Sequence, residues 1–515
     1  MPTMRSRTIW PTRVTLPRAE DRMLPALAAA HVRMPSYIRG RSRFAISPLR
    51  LTLDQLLFVV TAALLAIGLV MVQSADARVR ALNDNWLWTA FSNKNAIHAG
   101  VALAVMTIMW RMDYRWLLGR RMLFSPALWL LIVTFVCLVG VLVAGREVNG
   151  ARRWLALGPI TFQPSELAKL SLVLFVSMYA IHCRDQIQTF GVGLIPWLLL
   201  AVGLAAAVAP QDKLHLDKVL SPTSKLLENF AIIKYSIAGV CLAGGAVMLK
   251  FPAMRAWSWG FAPLVVIFGG ICALVLKEDF GTTVLIASVV FLLVVMAGCQ
   301  WWHAALLIPP AAGVMYGMMS SPFRRERLLA FWDPYKVSKG AGYHVIQSLD
   351  SIMLGGFFGR GLGNGIQKMG FLPEDNTDFI FAVICEELGL FGAMMVVLLF
   401  VTFVFCGWRI MCRCENLFGK MVAFGITATI GMQAAINIAV VTASMPTKGI
   451  ALPLISSGGT GWIMTALAIG VLMSIERVNR KVAAQNAMMG RGESLGFPVE
   501  MSPMPNASEQ VRGAA

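Results

Sequence analysis

The chain has 515 residues, of which 57% are hydrophobic and only 14% are charged, and this composition excludes a soluble globular domain. The formal net charge of +18 would suit a nucleic-acid-binding protein, but the basic residues concentrate in the first fifty positions and in short loops between apolar segments. The positive-inside bias of membrane proteins explains this distribution more simply. We therefore expect a polytopic membrane protein that contacts membrane lipid and does not bind nucleic acid.

Twelve apolar segments are long enough to cross a bilayer, since about 30 Å of hydrocarbon requires roughly 17–25 helical residues. Backbone polar groups in lipid must find partners within their own segment, so these segments predict an all-α transmembrane helix bundle. They lie near residues 51–73, 96–111, 122–144, 166–182, 190–209, 231–249, 259–276, 281–298, 303–319, 379–406, 418–441 and 460–475.

Both ends of the chain are polar. Residues 1–50 contain ten arginines and no apolar core of the signal-peptide type, so we expect a cytoplasmic, Arg-rich tail. Residues 481–515 are rich in Pro, Gly, Ser and Met, which predicts a second cytoplasmic tail that is disordered. The polytopic membrane domain would then occupy residues 51–480.

If the amino terminus is inside and every span crosses once, the segments 74–95, 145–165, 210–230, 277–280, 320–378 and 442–459 face the outside. Segment 320–378 is the long extracytoplasmic loop of this topology, and loops of such length are usually functional or disordered. The outward segments carry cations that the positive-inside bias would not place there: Arg152, Arg153, Arg324, Arg325, Arg327, Arg360 and Lys448. Either short outer loops simply tolerate them, or they bind an anionic, membrane-tethered substrate, because guanidinium groups bind two phosphate oxygens at once.

The stretch "TFQPSELAKL" opens the fourth apolar segment. Pro164 suits the first turn of a helix, and Glu166 and Lys169 are three residues apart and lie on one helical face. One interpretation is a capped helix with an intrahelical ion pair. The other is a substrate-binding site, because a charge inside an apolar span costs about 2.5–3.5 kcal/mol and is a functional candidate.

The stretch "LKEDFGTT" forms a turn between two spans that are otherwise almost uncharged. A polar turn is expected there in any membrane protein. A carboxylate at the rim of the bilayer that flanking helices partly desolvate also suits a general base. On chemistry alone, Glu278 and Asp279 are both candidates for that role.

Four acidic residues surround the start of the span near 379–406: Asp375, Asp378, Glu386 and Glu387. The two glutamates sit two turns into the span, where buried acids need partners. The nearest available cations in the same or opposite loops are Arg152, Arg153, Lys169 and Lys448. We therefore expect an ion-paired cavity in which Asp378 and Glu386 bind substrate.

The stretch "SMPTKGIALPLISSGGTGW" combines two prolines with several glycines and must interrupt a helix at membrane depth. Irregular backbone at that depth is tolerated only when it is buried in protein or lines a cavity. One interpretation is a simple re-entrant turn. The other places Lys448 in a substrate cavity.

Three further patterns carry little functional signal. The glycines between 355 and 365 follow no strand and lie in no βαβ unit, so they do not indicate a dinucleotide site. The nine cysteines lie mainly in or beside apolar spans and have no zinc spacing. The six histidines form no metalloprotease motif, so the sequence identifies no metal ligand.

Four motifs together resemble the SEDS (shape, elongation, division and sporulation) family of peptidoglycan polymerases, and most closely its cell-division branch. They are "NGARRWLALGPITFQPSELAKL", "EDFGT", "GGFFGRGLGNGIQKMGFLPEDNTDFIFAVICEELG" and "MPTKGIALPLISSGGT". The resemblance spans residues 50–480 and implies about ten core helices, so residues 190–250 are interpreted as an inserted two-helix hairpin. Glu278 stands where the family usually has proline.

The resemblance implies a glycosyltransferase that polymerises lipid II on the outer face of the bacterial cytoplasmic membrane. Asp279 would be the catalytic base, Arg153, Lys169 and Lys448 would stabilise the leaving diphosphate, and Glu166 would order Lys169. A divalent cation, Mg²⁺ or Mn²⁺, is an expected aid, and no organic cofactor is expected. The implied partners are a class B penicillin-binding protein and other division proteins at the septum. Two alternatives stay open, a lipid II flippase and a non-catalytic septal scaffold.

Overall fold

The computed structural model describes residues 51–76, 94–119, 122–148, 151–157, 160–182, 261–298, 322–338, 340–457 and 459–494, without some side chains inside these ranges, those of Arg152 and Glu278 among them. Eleven α-helices lie in this part of the chain. They are α1 Leu53–Asp76, α2 Lys94–Arg111, α3 Pro126–Ala144, α4 Pro164–His182, α5 Phe261–Glu278, α6 Phe280–Met296, α7 Pro322–Trp332, α8 Ala341–Gly355, α9 Ile380–Arg413, α10 Leu417–Val441 and α11 Thr460–Ser494.

The helices confirm the predicted all-α membrane bundle. Nine of the twelve predicted spans coincide with α1–α6 and α9–α11, and the other three, 190–209, 231–249 and 303–319, lie outside the described residues. Within the described ranges, six helices are long and apolar enough to cross a membrane, namely α1, α3, α4, α9, α10 and α11. The chain is therefore a multi-pass membrane protein.

Several helices begin at polar residues that satisfy free backbone N–H groups. The Ser125 hydroxyl accepts a hydrogen bond from the N–H of Ala127 at 3.3 Å at the start of α3. Asn416 Oδ1 accepts one from the N–H of Phe418 at 2.9 Å at the start of α10. These caps mark the points at which the apolar helices begin.

A small antiparallel sheet, which we did not predict, fills the connection between α3 and α4. Its strands are β1 Arg146–Val148, β2 Ala151–Leu157 and β3 Ile160–Phe162, in the order β1-β2-β3. Arg146 pairs with Trp154, and Leu155 pairs with Phe162. Strands β1 and β3 have three residues each, too few for a recognisable alternation of apolar and polar residues. The seven residues of β2, "ARRWLAL", do not alternate regularly either, so the sequence did not reveal the sheet.

The predicted start of the disordered carboxy-terminal tail, residue 481, lies inside a helix. Helix α11 continues to Ser494, so the beginning of the expected disordered tail at 481–515 is helical. The stretch after residue 480 contains "KVAAQNAMM", whose residues mostly favour helix. The long loop predicted at 320–378 contains α7 and α8, and its location outside the membrane stays a prediction.

Helix α9 is interrupted at Gly389, whose φ of 66° and ψ of −164° are not helical. A Cβ at this position would lie 2.3 Å from the backbone nitrogen of Gly359. The break lets the glycine-rich loop hydrogen-bond to the helix backbone, with the N–H of Gly361 donating to the carbonyl of Glu387 at 2.9 Å. The glycines of this loop therefore permit close backbone packing.

A polar cluster joins the helix ends that we predicted to face the cytoplasm. Arg480 Nη2 lies 2.5 Å from Asp54 Oδ2, and Trp110 Nε1 donates to the same oxygen at 3.2 Å. Arg413 Nη1 lies 3.4 Å from Glu476 Oε1. The start of α1 is thereby linked to the end of α2 and to α11, and the end of α9 is linked to α11.

Candidate functional site

Asp279 lies between α5 and α6, where its side chain caps the first turn of α6. Its Oδ1 accepts a hydrogen bond from the N–H of Thr282 at 3.0 Å, and its Oδ2 accepts one from the Thr282 hydroxyl at 2.7 Å. The residue is only 7% exposed. Because the amino end of a helix favours negative charge, α6 fixes both the position and the orientation of this carboxylate.

Asp279 and Arg153 line the same cavity. Arg153 is part of β2, while Pro164 and Ser165 reach the cavity from the first turn of α4, and α3 and α5 add apolar walls. The small sheet therefore places Arg153 in the wall of the cavity that the predicted general base also lines. The family resemblance implied that both residues serve one reaction, but the sheet that carries Arg153 was not predicted.

Asp378, two residues before α9, interacts electrostatically with Asp279 and Arg153. Burial raises the pKa of Asp378 to about 7. The neighbouring carboxylates of Glu374 and Asp279 contribute to the increase, and the positive charges of Arg153 and Arg327 oppose it. Asp378 is therefore partly protonated near neutral pH, which leaves the site less negative than a count of its carboxyl groups indicates.

Lys448 reaches this site from the irregular segment between α10 and α11. Its Nζ lies 4.9 Å from the ring centre of Phe280, the first residue of α6. A Cβ on the next residue, Gly449, would lie 2.8 Å from Oδ2 of Asp378. Burial lowers the pKa of Lys448. The segment thus carries a partly buried cation to the region between Asp378 and the start of α6.

Hydrogen bonds hold the backbone around Asp378 in place. Asn437 Nδ2 donates to the carbonyl oxygens of Asp378 and Ile450, each at 2.7 Å. The Ser456 hydroxyl donates to the carbonyl oxygen of Thr377 at 2.6 Å. Helix α10 and the irregular segment therefore position the residues that precede α9.

Glu166 and Lys169 form the predicted ion pair, with Oε2 and Nζ 2.7 Å apart. Lys169 Nζ also donates to Gln433 Oε1 at 2.7 Å, and Gln433 Nε2 donates to the carbonyl oxygen of Ala451 at 2.8 Å. This pair lines a second cavity, between α4, α10 and α11. The structure therefore assigns Lys169 to a different cavity from that of Asp279.

Glu386 and Glu387 are both fully buried, but our prediction of their partners was wrong for Glu387. Its Oε1 lies 2.7 Å from Nζ of Lys368, a buried lysine of the glycine-rich loop. The Ser74 hydroxyl at the end of α1 donates to the same carboxylate at 2.8 Å. The loop folds back onto α9 and supplies its own cation, so the distant outward cations are not needed there.

Glu386 accepts hydrogen bonds from the backbone N–H groups of Ile366, at 2.7 Å, and Gln367, at 3.2 Å. These contacts order the glycine-rich loop, and a role for Glu386 in substrate binding stays a prediction. Sequence reasoning missed Lys368. The available signal was a single lysine in the stretch "GIQKMGF" that precedes two adjacent buried glutamates.

Arg152 lies in β2, with a side chain outside the described set, so its anion contact stays a prediction. The effect of the Glu278 side chain on Asp279 likewise stays a prediction.

Among the described residues, no group of three or more His, Cys, Asp or Glu side chains is arranged to hold a metal ion. A divalent cation at this site therefore stays a prediction.

A family model described as a cell cycle protein, FtsW/RodA/SpoVE, matches residues 54–221 and 237–481. The chain belongs to the FtsW/RodA/SpoVE family. The interruption of the match at 222–236 falls within residues 190–250, which we interpret as an inserted hairpin and which lie outside the described residues. The four sequence motifs that carry the resemblance fall within the matched ranges.

Relatives in the FtsW/RodA/SpoVE family align over most of this chain. The probable peptidoglycan glycosyltransferase FtsW of Idiomarina loihiensis is 31% identical, over 85% of this chain and 91% of its own length. The stage V sporulation protein E of Bacillus subtilis is 29% identical, over 83% of this chain and 98% of its own length.

A chain from the solved structure of a peptidoglycan synthase complex, which coordinates polymerization and crosslinking, superposes with a TM-score of 0.54. The alignment covers 82% of this chain and 97% of that one, at 23% identity. This similarity confirms the predicted SEDS-type helix bundle.

Proposed function

We propose that this chain is a peptidoglycan glycosyltransferase that polymerises lipid II at the outer face of the cytoplasmic membrane during cell division. The observation that carries the proposal is the cavity in which a rigidly capped carboxylate, Asp279, lies with Arg153. Relatives named as peptidoglycan glycosyltransferases over most of this chain's length support it.

In the proposed reaction, Asp279 takes the proton of the 4-hydroxyl of the acceptor's GlcNAc. The hydroxyl oxygen attacks C1 of the donor's MurNAc and forms the new glycosidic bond. The bond from C1 to the diphosphate oxygen breaks with inversion, and its electron pair leaves with undecaprenyl diphosphate. The fixed hydrogen bonds from Thr282 keep the base oriented, so little reorganisation is needed during proton transfer.

Negative charge develops on the diphosphate as it leaves, and preorganised cations stabilise it in the transition state. Arg153, Lys448 and Lys169 are the proposed sources of that stabilisation, and Arg152 is a further anion contact. The ion pair with Glu166 and the hydrogen bond to Gln433 fix the direction of Lys169. Asp378 and Glu386 are retained as proposed substrate-binding residues, and an Mg²⁺ or Mn²⁺ ion that accompanies the substrate is a proposed aid.

The proposed partners are lipid II, a class B penicillin-binding protein that crosslinks the product, and other proteins of the division machinery. The similarity to a chain of a peptidoglycan synthase complex supports a crosslinking partner. The proposed location is the division septum.

The test is polymerisation of labelled lipid II by the purified full-length chain together with its penicillin-binding partner, with glycan strands separated on a gel. The wild type should form strands. Asp279→Asn should reduce strand formation by at least about a hundredfold, the scale of removing a positioned general base. The matched control is Asp113→Asn, which changes an exposed aspartate that caps the short 3-10 helix Tyr114–Leu118 and should leave strand formation intact.

Two results would contradict the proposal. Absence of strands with the wild type, together with transport of lipid II across vesicles, would indicate the flippase. Normal division in cells that carry charge-neutral variants of Arg153, Lys169 and Lys448 would indicate the scaffold.

A further inference from the structure

Two side-chain amides on one turn of α10 contact the irregular segment between α10 and α11. Gln433 and Asn437 are four residues apart and therefore lie on the same face of the helix. They are 7% and 2% exposed. A polar side chain buried inside an apolar helix bundle costs free energy unless it is hydrogen-bonded, so the partners of these amides indicate their role.

The two amides hold consecutive residues of the irregular segment. Asn437 Nδ2 donates to the carbonyl oxygen of Ile450 at 2.7 Å, and Gln433 Nε2 donates to that of Ala451 at 2.8 Å. Residues 446–452 are neither helical nor part of a sheet, so their buried carbonyl groups need donors from elsewhere. Because the amides bind successive carbonyl groups, they fix where the segment lies along α10.

The same amides also contact two other elements that carry predicted site residues. The second hydrogen bond of Asn437 Nδ2 goes to the carbonyl oxygen of Asp378, also at 2.7 Å. Gln433 Oε1 accepts a hydrogen bond from Lys169 Nζ at 2.7 Å. One turn of α10 therefore joins the irregular segment to α4 and to the residues that precede α9.

The part of the segment that Asn437 holds packs against the start of α6. A Cβ on Gly281 would lie 2.9 Å from Cγ1 of Ile450, and Lys448 Nζ lies 4.9 Å from the ring centre of Phe280. The N–H of Ile450 donates to the carbonyl of Lys448 at 3.1 Å, which makes the two residues one compact turn. The position of Ile450 therefore determines where Lys448 lies relative to the turn that follows the predicted base.

We propose that Asn437 and Gln433 are positioning residues of the glycosyltransferase reaction, which act by holding Lys448 at the start of α6. This assignment deepens the proposed function and rests on it for the role of Lys448 in the reaction. The hydrogen bonds of the two amides, and the order that they impose on the irregular segment, do not depend on turnover.

Asn437→Leu tests the assignment in the polymerisation assay with the full-length chain and its penicillin-binding partner. Leucine resembles asparagine in shape but cannot donate a hydrogen bond, so it releases both carbonyl groups. We expect kcat to fall about a hundredfold, the scale of misplacing a catalytic group by about 1 Å. In a Lys448→Gln background the same change should alter kcat by less than about twofold, because the group that Asn437 positions is already absent.

The matched control is Thr427→Val, which replaces another buried polar residue of α10 by an apolar residue of the same shape. The Thr427 hydroxyl donates to the carbonyl oxygen of Ala423 within its own helix at 2.7 Å, so kcat should stay near the wild-type value. An unchanged kcat in Asn437→Leu would overturn the proposal. So would an equal fall in kcat with Lys448 and without it, since that result would assign Asn437 a purely structural role.

Amide hydrogen exchange of the purified full-length chain in nanodiscs tests the contacts without turnover. The N–H of Leu452 donates to the Ser456 hydroxyl at 2.7 Å, so the segment should be protected in the wild type. Asn437→Leu should increase the exchange rate of residues 446–457 about tenfold, the scale of one lost buried hydrogen bond. Exchange at the wild-type rate would overturn the proposal.

A second variant keeps the test decisive if Asn437→Leu does not fold. Gln433→Met, which releases the carbonyl of Ala451, should also increase exchange in the irregular segment, and unchanged exchange would again overturn the proposal. Faster exchange in a variant, together with a wild type that forms no strands, would leave the positioning contacts standing and refute the polymerase. Normal strand formation with unchanged exchange in the variants would do the reverse.

Discussion

At the scale of single residues, the site depends on which carboxyl groups are charged. Asp279 is fixed by two hydrogen bonds from Thr282, whereas Asp378 lies in the same charged environment with a pKa raised to about 7. A protonated Asp378 adds no negative charge beside an anionic diphosphate and can donate a hydrogen bond. We therefore expect Asp378 to bind substrate best in its neutral form.

Asp378→Asn tests this expectation through the pH dependence of KM for lipid II. With a pKa of about 7, the ionised fraction of Asp378 rises from about 10% at pH 6 to about 90% at pH 8. The wild-type KM should accordingly rise several-fold across this range, because charge appears as pH increases. The variant is neutral throughout and should lack the rise. A parallel rise in both proteins would assign the dependence to another group.

At the scale of elements, the broken helix α9 is held by a buried clamp that joins three parts of the chain. Lys368 in the glycine-rich loop donates to Glu387 of α9 at 2.7 Å and to the hydroxyl of Ser74 in α1 at 2.9 Å. Both charged side chains are at most 2% exposed. The clamp fixes the start of the segment that leads to Asp378, and so positions the site from outside it.

Lys368→Met should destabilise the protein by about 3–5 kcal/mol, because it leaves Glu387 charged, buried and without its cation. Adding Glu387→Gln should restore much of this loss, since the amide is neutral and still accepts from Ser74. Unfolding of the purified protein in detergent measures both effects. Lys336→Met removes an ion pair with Asp333 whose lysine is 81% exposed, and should cause no measurable change. Equal destabilisation by the single and double variants would show that the charge is not what matters.

The sequence predicted much of the site but not its support. Arg153 and Lys448 were identified from charges in outward segments. The charges left Glu278 and Asp279 both open as the base, and the family resemblance selected Asp279; their catalytic roles stay predictions. Lys368 was missed because the partner of a buried glutamate is decided by how a loop folds back, which no spacing along the chain reveals. The separation of Lys169 from Asp279 into two cavities depends likewise on how α4 packs between its neighbours.

At the scale of the whole molecule, the described helix bundle has a group of polar contacts at each of its two ends. The Thr460 hydroxyl donates to the carbonyl oxygen of Thr161 at 3.3 Å, and the N–H of Ser457 donates to the carbonyl of Asn376 at 2.9 Å. All four residues lie in or beside segments predicted to face outward. The cluster of Asp54, Arg413, Glu476 and Arg480 joins ends predicted to face inward. Segments that the charge distribution assigns to the same side of the membrane therefore also lie close together in the structure.

This arrangement sharpens the prediction for residues 190–250. The start of α4 and the end of α5 share the cavity of Asp279, so His182 and Phe261 belong to the opposite end. The chain between His182 and Phe261 must therefore cross the membrane an even number of times. The predicted two-helix hairpin meets this requirement. Single cysteines at 210–230 in a variant without its native cysteines should react with a membrane-impermeant maleimide added from outside. Reaction only after the cytoplasmic side is opened would refute the hairpin.

The sequence by itself determined that the chain spans a membrane, which segments form the described spans, which ends share a side, and which charges are out of place in lipid. These properties follow from local hydrophobicity and from the cost of an unpaired polar group in a bilayer. Only the tertiary structure decided that a small sheet delivers Arg153 to Asp279, that Lys368 neutralises Glu387, and that two cavities meet at the first turn of α4. Those features arise from contacts between residues far apart in the chain, whose geometry is set by packing.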